Sequence, residues 1–185
     1  MAMTLITNSA DTDSTDLANV SFTTGIDSTY KLYIFKFIDI NVATDGAEFT
    51  FNGSDDTSSW SYDIIKTTTS FNVYREESAG TGAGYGVLDY GAPRDLAQST
   101  AYCQIGVSLD NPADSSCVGT LLLFNPSSTT YVKHFQVETQ YMGNDSYSET
   151  RFSAGYFNAT AAITALDFKC DEGNFDGTIK MYGVG

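Results

Sequence analysis

Gly177-Thr178-Ile179-Lys180-Met181-Tyr182-Gly183-Val184-Gly185 closes the chain, and its alternation decides the fold. Ile179 and Met181 fall on one face at a spacing of two, and Thr178 and Lys180 fall on the other. That period marks a strand with one buried face. No polar tail follows, and termini fray unless something ties them down. The segment is therefore expected to pair inside a sheet, with Ile179 and Met181 pointing into a core.

Working back from this strand, the rest of the chain reads the same way. Tyr30–Ile40 is apolar on both faces, which suits a central strand or one whose second face is covered by another subunit. Asp45-Gly46 is a hairpin-type turn into 47–51. Further strands are expected at 18–23, 61–67, 70–74, 104–109, 118–124, 131–141, 147–157, 162–168 and 178–184. Polar or Gly-rich turns separate them. The run Gly80-Thr81-Gly82-Ala83-Gly84-Tyr85-Gly86 reads as a mobile surface loop. Pro93-Arg94-Asp95-Leu96-Ala97 is expected to form one helical turn, and no amphipathic helix of ten residues or more is found. Many short strands with polar turns predict one all-β domain over residues 1–185, an antiparallel β-sandwich of jelly-roll type.

Composition narrows the function classes. The net charge is −14, which repels a phosphate backbone, so no nucleic acid is expected as a partner. Charged residues are 17% and aromatics 14%, a balance that suits pleated sheets with uncharged polar faces. Met1-Ala2-Met3-Thr4-Leu5-Ile6 has no basic region and no long apolar stretch, so it does not read as a signal peptide. No apolar run reaches the roughly 18 residues of a membrane span. Synthesis in a cytoplasm is the expectation. Asn19, Asn52, Asn144 and Asn158 fall in N-x-S/T triplets, as chance allows in a Ser- and Thr-rich chain.

Motifs that would carry chemistry are weak. Cys103, Cys117 and Cys170 are odd in number and widely spaced, so they read as small buried thiols or as one disulfide with a spare thiol. The only histidine, His134, reads as a strand residue. Asp11, Asp13 and Asp16 fail the EF-hand pattern at its fifth and sixth positions. Asp171-Glu172-Gly173-Asn174-Phe175-Asp176-Gly177 is richer in oxygen ligands, yet a tight turn is its simplest reading. Asp39 and Asp167 lie within apolar strands and are the acids to inspect for paired-carboxylate chemistry. Pairing with Lys36, Lys169 or Arg151 is the simpler explanation. Accordingly no catalytic residue, no cofactor and no metal are expected.

Four phrases together carry a resemblance: 28–33 (STYKLY), 123–135 (LFNPSSTTYVKHF), 154–156 (AGY) and 177–183 (GTIKMYG). They resemble small virion structural proteins of marine tailed bacteriophages, with a closing GTIKxYG strand. The similarity covers most of the chain and marks strands and turns, not chemistry. It implies a β-rich subunit on the particle exterior, in a tail appendage or as a capsid decoration, with other virion proteins as partners. It carries over no catalytic residue. The function expected is therefore a virion structural protein that forms a homo-oligomer, with a trimer favoured. Tyr30, Tyr33, Phe35, Phe37 and Trp60 are the interface candidates, and Trp60 is also a candidate for stacking on a sugar. A module binding a host-surface glycan is the second reading. A glycan-cleaving enzyme is the third.

Overall fold

A computed structural model describes residues 2–8, 16–77, 85–89, 94–144 and 146–185. Its strands are β1 (Met3–Asn8), β2 (Val20–Phe22), β3 (Leu32–Val42), β4 (Phe49–Ser54), β5 (Lys66–Glu76) and β6 (Tyr85–Asp89). They continue with β7 (Cys103–Gly106), β8 (Cys117–Phe124), β9 (Lys133–Gly143), β10 (Tyr147–Phe157), β11 (Ala165–Cys170) and β12 (Phe175–Val184). No helix occurs among the described residues. Residues 94–97 form bends and a turn, not the expected helical turn. Pro93 and residues 80–84 of the glycine run lie outside the described residues, while Tyr85 and Gly86 open β6.

Two antiparallel sheets face each other. The large one has the order β1-β12-β3-β8-β9-β10-β5-β6 and the small one β2-β11-β4-β7. Eight of these strands form two matched quartets, β1-β12-β3-β8 and β2-β11-β4-β7, in which consecutive strands cross between sheets. This is the double Greek-key wiring of a jelly roll. The β5–β6 and β9–β10 hairpins are additions that widen only the large sheet. One core cluster spans both sheets.

The closing segment sits where its pattern places it. β12 lies between β1 and β3, with Ile179 and Met181 fully buried. Tyr182 and Val184 alternate with them and point to the other face. The register slips between Asp176 and Thr178, opposite a slip between Phe37 and Ile40 on β3's other side. Asp39 takes φ 52° and Gly177 φ 116° there. A Cβ on Gly177 would lie 2.5 Å from the Asp39 carbonyl oxygen, so only glycine fits this bulge. Gly183 is held for a different reason: the Tyr30 ring packs 2.1 Å from where its Cβ would be.

The two-faced strand β3 is central, between β12 and β8. Its inward residues are Tyr33, Phe35 and Phe37, each at most 2% exposed. These three are core, and this corrects their placement as interface candidates. The outward residues of the same strand are Leu32, Ile34, Lys36 and Ile38. The two strands expected at 61–67 and 70–74 are in fact one, β5; residues 61–65 are an extended segment whose backbone serves other groups.

Changing β12 by face tests this arrangement. Burial of Ile179 and Met181 contributes about 1.5–3 kcal/mol each, against a total of about 5–15 kcal/mol for a domain. Ile179→Asp combined with Met181→Asp is expected to abolish cooperative thermal unfolding. Thr178→Asp should lower the melting temperature by no more than about 5 °C, as a surface change does. Similar melting curves for the two variants would show that β12 does not seal the core.

Candidate functional site: an apolar sheet face and a polar pocket

The outer face of the large sheet is built by register. One cross-strand row runs Leu5–Tyr182–Ile34–Leu122–Gln136–Ala154–Thr69. A second runs Lys180–Lys36–Thr120–Glu138–Phe152–Phe71. The Phe71 and Phe152 rings stack at 5.1 Å. Between these rows lies a shallow hollow of about 420 Å³, lined by Phe71, Thr120, Leu122, Glu138, Phe152 and Ala154. Phe71, Val73 and Val118 are 37–39% exposed, and Met3 and Leu5 at the edge are half exposed. Lys36 donates to Thr120 Oγ1 at 2.7 Å, and His134 tilts against Tyr156 at 5.8 Å.

Of the other interface candidates, Tyr30 is half-buried against Tyr33 at 5.9 Å, and Trp60 is half-buried in the loop after β4. Neither belongs to the rows above. On β3 the outward residues are the smaller apolar half of the alternation, while on β5 the pattern is inverted: polar Ser70 and Asn72 are buried and apolar Phe71 and Val73 point out.

A second feature lies on the inner side. The large sheet is wider than the small one, so the inner faces of β5 and β10 extend past β7. There Arg151, 2% exposed, donates Nη2–H to Glu149 Oε1 at 2.8 Å, Nε–H to the Tyr141 hydroxyl at 3.3 Å and Nη1–H to Ser70 Oγ at 3.3 Å. Glu149 Oε1 also accepts from Tyr141 at 2.5 Å and from Asn72 Nδ2 at 2.9 Å. Burial pushes the Tyr141 phenol well above its ordinary value, which keeps it a donor. Beside this network opens a polar pocket of about 260 Å³.

The remaining polar groups have structural partners. Lys66 is fully buried and donates to the carbonyls of Ile64 at 3.3 Å and Ala101 at 2.5 Å; burial pushes its pKa down to about 8. Lys133 donates to the carbonyls of Ala159 and Ala161. Asp167 accepts from Ser21 at 2.5 Å, Asn19 at 2.7 Å and Tyr102 at 2.9 Å, on the small sheet. Asp39 is exposed at the β3 bulge on the large sheet, so these two acids do not form a pair. Nor does Asp167 pair with a cation: Lys169 lies 4.2 Å over the Tyr102 ring, Lys36 serves Thr120 and Arg151 serves Glu149. In the 171–177 loop, Asp171 accepts from the Glu48 amide and Asp176 from the Asp16 amide, both at 2.8 Å. Among the described residues no three Asp, Glu, His or Cys side chains gather as metal ligands.

The cysteines are all free and buried, which decides between the two sequence readings in favour of separate thiols. Burial pushes Cys103 and Cys170 up to about 12 and Cys117 higher still. Comparison with protein-family models, curated proteins and solved structures found no match.

Two outcomes are expected from these groups. Glu149→Gln removes the charge facing buried Arg151 and should cost about 3 kcal/mol, the scale of a broken buried pair. Adding Arg151→Met should recover part of that loss in chemical denaturation. A double-variant loss equal to the sum of the two single losses would show that the pair is not coupled. A thiol reagent at pH 8 should modify none of the three cysteines in the native protein and all three after unfolding, because the thiolate is the reactive form. Rapid native labelling would contradict the burial.

Proposed function

We propose that this chain is a structural subunit of a bacteriophage particle, on the particle exterior as a tail-fibre or baseplate appendage or a capsid decoration. It assembles with copies of itself through the outer face of the large sheet. The observation that carries this reading is that face. Exposed Phe71 pairs with Phe152 and Ile34 pairs with Leu122 across neighbouring strands, and exposed Val73 and Val118 continue the same faces of β5 and β8. Contiguous apolar surface of this kind marks association sites.

Charge supports the same surface. The chain carries −14 overall, yet on the outward side of β12, β3, β8, β9, β10 and β5 Lys36, Lys180 and Arg75 balance Glu138, Asp39 and Asp176. Copies meeting there avoid the repulsion that the acidic remainder would impose. The sequence resemblance to virion proteins supplies the setting. A trimer is the favoured assembly.

Light scattering at micromolar concentration should give a multiple of the protomer mass, three for the favoured assembly. Phe71→Lys with Leu122→Lys should leave the melting curve of the protomer near wild type and shift the mass toward one protomer. Each lost apolar contact is worth about 1.5–3 kcal/mol, or about tenfold to a hundredfold in affinity. Mass spectrometry of purified particles should find the chain in fixed stoichiometry. A wild-type monomer and absence from particles would overturn the proposal.

A further inference from the structure

Two residues that line the polar pocket beside Arg151 carry unmet bonding capacity of opposite kinds. Asn72, 3% exposed, uses Nδ2 on Glu149, and its buried Oδ1 has no partner among the described residues. Arg94 lines the same pocket, and its Nε–H is also buried without an acceptor among them. Folded proteins leave few such groups, since each forfeits its hydration. One is an acceptor and the other a donor. A carboxylate or phosphodiester could serve only the donor, and an ammonium only the acceptor. A hydroxyl both donates and accepts.

Charge points the same way. The pocket holds two guanidinium groups, those of Arg94 and Arg151, but they are not in excess. Arg151 is paired with Glu149, and the Glu48 carboxylate lies within the field of both. A balanced site favours a neutral ligand over an anion. Tyr74 and Tyr147 also line the pocket, with rings edge to face at 5.2 Å. Such rings give an apolar wall for the C–H face of a ring bearing hydroxyls. The volume, about 260 Å³, is below the range of drug-sized sites and suits a single sugar ring.

We propose that this pocket binds a neutral pyranose unit of a polysaccharide, with one hydroxyl bridging Asn72 Oδ1 and Arg94 Nε–H. The proposal goes beyond assembly and does not depend on it. The pocket faces the inner side of β5 and β10, and the assembly face is the outer side of the same strands.

The full-length chain, isotopically labelled, would be titrated in separate samples with the methyl glycosides of glucose, mannose and galactose. Glucuronate, phosphate and glycerol form the comparison arms. At least one glycoside is expected to shift the Asn72 side-chain amide and the Tyr74 and Tyr147 signals, saturating in the millimolar range. Tyr74→Ala, a rim variant, should weaken that binding about tenfold, as should Asn72→Ala if it folds. Tyr131→Ala, at an exposed turn before β9, should leave it unchanged. Four results would overturn the proposal: no saturable shift with any glycoside, equal shifts with glycerol, stronger binding of glucuronate or phosphate, or shifts mapping elsewhere. Light scattering on the same samples separates this result from the assembly question, because either can fail alone.

Discussion

Everything in this molecule rests on the packing of Phe168 between the two sheets. Its ring lies 5.4–6.2 Å from those of Phe22, Phe35, Phe37, Phe49 and Phe51, which come from β2, β3 and β4. Most of these contacts are edge to face or tilted, the arrangements that aromatic quadrupoles favour. No disulfide ties the sheets together among the free cysteines Cys103, Cys117 and Cys170. The sandwich is therefore held by apolar burial across a layer of phenylalanine, and strand registers follow from which residue must reach that layer. A one-residue slip in β3 would turn Phe35 and Phe37 out to water.

The two added hairpins account for both candidate functional surfaces. Without β9–β10 and β5–β6 the sheets would match four to four. Widening one sheet creates a broad outer face, where Phe71 and Phe152 stack, and an inner face that the small sheet covers only in part, at Phe157 of β10 against Phe51. That inner overhang cannot be filled by the phenylalanine layer. It is filled instead by Arg151, Glu149, Tyr141, Ser70 and Asn72 in a hydrogen-bonded network. Buried ion pairs of this kind contribute more to a defined geometry than to net stability. The loop from Arg94 to Leu96 closes over the same strands: Arg94 O accepts from the Thr68 hydroxyl, and Asp95 accepts from the Ser70 amide.

Buried lysines show the same economy with backbone. Residues 61–65 and 99–101 are irregular, and their carbonyls need donors where no ladder runs. Lys66 caps the carbonyls of Ile64 and Ala101, and Lys133 those of Ala159 and Ala161. The cost is a desolvated ammonium, visible in the depressed pKa of Lys66. Asp167 is settled the opposite way, by three neutral donors and no cation.

The alternation of single strands was readable in advance. Residues 147–157 form β10 with those bounds, and Ile179 and Met181 face inward as their period requires. The all-β class and the sandwich follow from the same local signal, because a period of two depends only on the pleat. Two things were not readable. Which face of β3 meets the other sheet depends on the phenylalanines of β4 and β11, more than ten residues away in the chain; Tyr33, Phe35 and Phe37 therefore looked like surface anchors and are core. The polar pocket was equally hidden, since Asn72, Arg94 and Arg151 come from separate segments and have no mutual spacing to detect. Their meeting is decided by the unequal widths of the two sheets, a property of strand pairing that no single stretch of sequence encodes.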